Sequence, residues 1–141
     1  MSVAGRRTVA GITFVVLAAA AAVGAVAAAS PDVRTVHVRL EHSRFVVDGD
    51  PAVRPGDTVR YVVENTDPIA HEFIIGDRAV QRAHELGTEA YHPPRPGEMS
   101  VPAGAVLETT FTFPTEPGSL ILGCHIPGHY AYGMRVDIPI G

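Results

Sequence analysis

Lysine is absent from this 141-residue chain, and cysteine occurs once. Without lysine, 11 arginines face 15 acidic residues, for a formal charge of −4. The basic footprint that a phosphate backbone requires is missing, so nucleic acid is excluded as a partner. One Cys cannot form an internal disulfide. Internal repeats and low-complexity tracts are lacking beyond residue 30, and the length suits a single domain.

The first thirty residues stand apart. Arg6 and Arg7 precede an uncharged, Ala-rich run from Thr8 to Ala29, which ends in Ala27-Ala28-Ala29-Ser30. This pattern reads as an export signal with a small-residue cleavage site. The run of 22 residues is also long enough to span a bilayer, so a retained N-terminal membrane anchor is the alternative. No Cys follows the run to carry a lipid. Either way, residues 31–141 are expected outside the cytoplasm, as a periplasmic, secreted or membrane-held domain. With Arg6 and Arg7 set aside, nine basic residues face 15 acidic ones. An acidic surface of this kind serves solubility, or steers encounters with a basic partner.

In an exported chain a lone thiol is a liability unless it has a task. Cys124 opens the segment Cys124-His125-Ile126-Pro127-Gly128-His129-Tyr130-Ala131-Tyr132-Gly133-Met134. It places a thiolate, an imidazole and a thioether at equal steps, Cys-x4-His-x4-Met. These are the soft and borderline donors that copper prefers in a trigonal Cys/His/His site with a weak axial Met. The second imidazole must come from elsewhere. His71, in Asn65-Thr66-Asp67-Pro68-Ile69-Ala70-His71-Glu72-Phe73, is the candidate. The expected metal ligands are therefore His71, Cys124, His129 and Met134, holding one copper.

On these residues the chain resembles the cupredoxins, the type 1 (blue) copper proteins, over roughly residues 33–140. The loop is longer than that of plastocyanin and more similar to those of auracyanin and rusticyanin. The wording HEF…IPGHY…GM resembles bacterial envelope members, some of them associated with copper resistance. The resemblance implies a Greek-key β-sandwich, one type 1 copper per chain and no enzyme activity. It also implies single-electron exchange with redox partner proteins, docked transiently on a monomer. The electron port it implies is the exposed edge of His129, framed by Ile126, Pro127, Tyr130 and Ala131. A copper resistance, sequestration or delivery role is the alternative.

Three departures from related copper proteins matter. Gly123 stands where a multicopper oxidase has the first His of His-Cys-His, so oxygen reduction is not expected. His125 keeps the second half of that motif; it reads as an oxidase remnant, a group supporting the site, or a solvent-facing side chain, the last being favoured. Glu72 stands where many members have an Asn that tethers the ligand loop. A dinuclear CuA centre would need two Cys.

Beyond Pro31 the pattern is all-β. Val36, Val38 and Leu40 alternate with polar residues. Phe45–Val47, Thr58–Val63, Phe73–Ile75, Val106–Phe113, Leu120–Leu122 and Met134–Ile138 read as further strands, separated by turns at 48–51 and 55–57. About seven strands indicate a β-sandwich. Cys124 is expected at the end of one strand, and His71 and Met134 at the starts of two others. Residues 77–100 interrupt the pattern. Asp77 is a good N-cap, and Ala79, Val80, Ala83 and Leu86 recur at helical spacing, so a short amphipathic helix is expected up to Gly87. The stretch from there to Met99 reads as loop. His84, His92 and Met99, with Glu85 and Glu89, form a loose group with the donor types of a second copper site, although separate surface residues are the simpler reading. His37 and His42 read as exposed side chains.

Overall fold

The computed structural model describes residues 33–87 and 93–141. The export or anchor segment, Glu89 and His92 lie outside them. Two four-stranded sheets face each other. The first has the order β2-β1-β3-β6, from Phe45–Val47, Arg34–Leu40, Thr58–Asn65 and Val106–Thr112. The second has the order β5-β4-β7-β8, from Glu98–Val101, His71–Gly76, Gly118–Gly123 and Arg135–Ile140. Strands β1 and β3 pair in parallel; every other pair within the sheets is antiparallel. This is the expected all-β Greek-key sandwich.

Alternation along the strands explains the core. Val36, Val38 and Leu40 of β1 and Val59, Tyr61 and Val63 of β3 point inward and are buried. They meet Phe73, Ile75, Met99, Val101, Leu120, Leu122 and Ile138 from the other sheet. Phe73 sits at the centre, with ring centroids 5.3 Å from Tyr61 and 6.3 Å from Phe45.

Strand β4 is buried along its whole length. Its inward residues face the sandwich, and its outward residues lie under helix α1, Arg78–Leu86. Asp77 caps this helix by accepting from the Val80 amide at 2.9 Å. The sequence places the helix correctly but misjudges its docking face. Val80 and Leu86 are exposed, while Gln81 is buried. Gln81 is the anchor because its amide nitrogen reaches backbone carbonyls of both β4 and β7: Ile74 at 3.2 Å, Gly76 at 3.4 Å and Ile121 at 2.7 Å.

Strand β5 corrects the loop reading of the insertion. Met99 pairs with Phe73 and is fully buried in the core, so it is unavailable to a surface copper site. Glu98, one residue earlier, turns to the opposite face and receives His84 Nε2 at 3.1 Å. The alternation of the strand thus separates Met99 from His84.

Candidate metal centre

Strands β4 and β7 run antiparallel with Ile74 opposite Gly123, so the start of one lies beside the end of the other. His71 is the first residue of β4, and Cys124 follows the last residue of β7. The loop from Cys124 to Met134 then closes on itself. Backbone bonds run from His129 to Ile126 at 2.9 Å, from Met134 to His129 at 2.9 Å, and from Cys124 to Met134 at 3.2 Å. Gly128 turns this loop at φ +88°, a conformation that costs a side-chain-bearing residue about 1–2 kcal/mol.

One donor atom each from His71, Cys124 and His129 lies within 4.8 Å of the others. The Cys124 sulphur is 3.7 Å from His129 Nδ1 and 4.0 Å from His71 Nδ1. Bonds of about 2.3 Å to sulphur and 2.0 Å to nitrogen, opened to a trigonal angle, would set sulphur and nitrogen about 3.7 Å apart. The Cys124–His129 spacing matches this and the Cys124–His71 spacing is slightly longer, so the three residues are placed to hold one metal ion, and their donor set is the one copper favours. Met134 is fully buried beside them, its backbone bonded to both Cys124 and His129.

Burial pushes the Cys124 thiol up to about 11, against the pull of the Glu72 and Ile126 amides. Without metal the site therefore holds a neutral thiol at neutral pH, and a metal must displace its proton. Burial, and then the nearby His71, lower the His129 pKa, which favours the neutral, ligating imidazole.

Around these donors lies a set of groups that the sequence did not single out. Asp67 Oδ2 accepts from His71 Nε2 at 2.8 Å. The same carboxylate accepts from the His42 amide at 2.7 Å and the Ser43 amide at 2.8 Å. Burial opposes its charge, but the Ser43 and His42 amides and the His71 ring together hold it below the usual carboxylate range. His42 and Ser43 lie at φ +53° and +52°, and Glu41 and Arg44 exchange backbone bonds of 3.1 Å across them. This is a type I′ hairpin turn made without the Asn-Gly it prefers, and the Asp67 bonds compensate for its strain. Asn65, fully buried, fastens the loop before His71. Its amide nitrogen donates to Ile69, Val101 and Pro102 carbonyls, and its oxygen accepts from the Asp67 amide at 3.0 Å. An Asp four residues before the ligand was the available signal.

The outer face of the second sheet corrects one expectation. His125 is not solvent-facing. Its Nε2 donates to Gln81 Oε1 at 2.7 Å, and its ring stacks on Tyr130 at 4.7 Å and on His84 at 5.9 Å. Tyr130, expected in the contact patch, is half-buried and lines a groove with Ile126, Pro127 and Ala131; its ring stacks on His125 and lies 5.2 Å from the Arg135 guanidinium. Glu72 supplies the tether that its replacement of Asn put in question. Its carboxylate accepts from the His125 amide at 2.9 Å, and its own amide points to the Cys124 sulphur at 3.4 Å.

No protein-family model matches the chain. Over 108 residues it is 41% identical to the copper-resistant cuproprotein CopI of Rubrivivax gelatinosus, an alignment covering 72% of this chain and 62% of that protein. The chain thus spans less than two thirds of that relative's length. Its fold is similar to that of auracyanin from Roseiflexus castenholzii, with a TM-score of 0.61 and 23% identity over 76% of this chain and 96% of the other. Auracyanin A, a blue copper protein from Chloroflexus aurantiacus, gives a TM-score of 0.54 and 23% identity over 76% of this chain and 98% of the other. With two facing Greek-key sheets, at one end of which the donors of His71, Cys124 and His129 gather, the chain is cupredoxin-like in fold.

Proposed function

We propose that this chain is a type 1 copper protein that carries single electrons between redox partners outside the cytoplasm. The observation that carries this reading is the convergence of Cys124 Sγ, His71 Nδ1 and His129 Nδ1 within 4.8 Å. Copper held there would accept and release one electron. His71, Cys124, His129 and Met134 would hold it. The backbone bonds linking Cys124, His129 and Met134 hold the donors in place through the cycle, which keeps reorganisation small. His129 is only half-buried, and the exposed Pro127 and Ala131 beside it leave room for brief docking of a monomer on a redox partner. A carrier, rather than an enzyme, is the role that one such site supports. The blue copper auracyanin A and the dithionite-reduced auracyanin of similar fold support it too. The apolar run Thr8–Ala29 supports the location.

The similarity to CopI favours a second reading, in which the chain binds copper for resistance. Titration of the purified protein with Cu(II), followed by visible and EPR spectroscopy, separates the two. One copper per chain, with an intense blue band and narrow hyperfine splitting that Cys124→Ser abolishes, supports the carrier. Two or more coppers, or a colourless centre, would replace it with the resistance reading.

A further inference from the structure

We propose that Asp67 is a positioning residue of the metal centre: its carboxylate fixes the His71 ring with Nδ1 toward Cys124 and lowers the reduction potential of copper bound there. The inference rests on the copper reading above and extends it to a residue outside the ligand set.

The geometry carries the argument. His71 is fully buried, and its two ring nitrogens face different neighbours. Nε2 lies 2.8 Å from Asp67 Oδ2, while Nδ1 lies 4.0 Å from the Cys124 sulphur. A carboxylate can only accept here, so the Nε2 proton is committed to Asp67 and the Nδ1 lone pair is left for metal. The Asp67 side chain is 11% exposed, so its charge acts through little solvent. An anion bonded to the far side of an imidazole makes that ring a stronger donor. It therefore favours Cu(II) over Cu(I), and a lower potential follows.

Asp67 is itself held firmly. The His42 and Ser43 amides donate to its two oxygens, and its own amide is bonded to Asn65. The hairpin turn between β1 and β2 is thereby joined to a ligand on the other sheet through a single carboxylate. Simple turn capping would require the two amides alone. The third bond, to a fully buried ligand candidate, is what assigns Asp67 to the site.

The test compares wild type with Asp67→Asn, with Asp57→Asn as a control. Asp57 accepts from the Arg54 amide at 2.9 Å in another turn. In Asp67→Asn, Cu(II) affinity is expected to fall by about 10- to 100-fold, with a smaller change for Cu(I) and a higher reduction potential. Asp57→Asn is expected to leave the potential unchanged. An Asp67→Asn protein that binds copper at the wild-type potential overturns the proposal. A second arm needs no copper: nitrogen-15 spectra of the histidine rings in the metal-free protein at about pH 8, where free imidazole is neutral. The wild-type His71 ring is expected to carry its proton on Nε2, with Asp67→Ala mixing the tautomers. A proton on Nδ1 in the wild type overturns the proposal. If the wild type takes up no copper, the copper reading fails, and the ring spectra still decide the role of Asp67.

Discussion

A side chain at Gly123 would meet Gln81 Oε1 at 2.5 Å and the Tyr130 ring at 2.8 Å. The position before Cys124 is thus already filled, by the anchor of α1 on one side and an aromatic ring on the other. Gly123→Ala is expected to destabilise the protein by about 1–3 kcal/mol, the usual cost of overpacking. Thermal unfolding checks this; a variant melting with the wild type would show that the contacts yield freely. Gly123→His should fold worse still, and should not create an oxidase-type copper cluster, because Gln81 and Tyr130 occupy the space such a ring would need.

Gln81 is the only buried residue of α1, and it spends its whole amide on the fold. Its nitrogen donates to carbonyls of β4 and β7, and its oxygen accepts from His125. Gln81→Leu keeps the volume but strands these partners, at an expected cost of about 1–3 kcal/mol. Hydrogen exchange should quicken across residues 78–86 before it quickens in β4. Unchanged protection of the helix would mean that other contacts hold it.

These two residues show where the sequence is legible and where it is not. Strand alternation and the Asp77 cap are local patterns, and each sits in the structure where the pattern puts it; of the Cys-x4-His-x4-Met segment, the structure brings the Cys124 and His129 donors together. His71 needed only the direction of one strand to reach Cys124. Gln81 could not be read, because a polar residue among Ala79, Val80 and Ala83 looks like the solvent face of an amphipathic helix. Its burial depends on strand carbonyls up to 40 residues away. Strand β5 was hidden by its neighbours Pro93, Pro94 and Pro96, and by its being four residues long. The type I′ turn at His42 and Ser43 carries neither Asn nor Gly, so only its partner Asp67, 24 residues on from Ser43, accounts for it.

That turn yields a stabilising prediction. Ser43 sits at φ +52° with its amide bonded to Asp67. Ser43→Gly keeps the amide and removes the strain of a left-handed side-chain-bearing residue. The gain is partly offset by the greater freedom of Gly when unfolded, leaving a few tenths to about 1 kcal/mol of added stability. Chemical denaturation at equilibrium should show a higher midpoint at an unchanged slope. A lower midpoint would mean that the Ser43 side chain contributes more than its backbone costs.

His84 gives a pH dependence whose sign is fixed by its neighbours. Its Nδ1 donates to the Val80 carbonyl at 2.9 Å and its Nε2 to Glu98 at 3.1 Å, and the charged ring satisfies both. Burial lowers its pKa, but the Val80 carbonyl, Glu98 and Glu72 outweigh that and raise it above the ordinary histidine value. The folded state therefore binds this proton more tightly than the unfolded chain does. The resulting stability is fully present below the unfolded pKa of about 6.5, and is lost as pH rises through the folded value. His84→Gln keeps a polar side chain but removes the titration. Relative to wild type it should be less stable at about pH 5.5, with the deficit shrinking as pH rises toward about 8.5. Melting curves of both proteins across that range supply the comparison. A deficit that is constant with pH would assign His84 a packing role and leave its charge without effect.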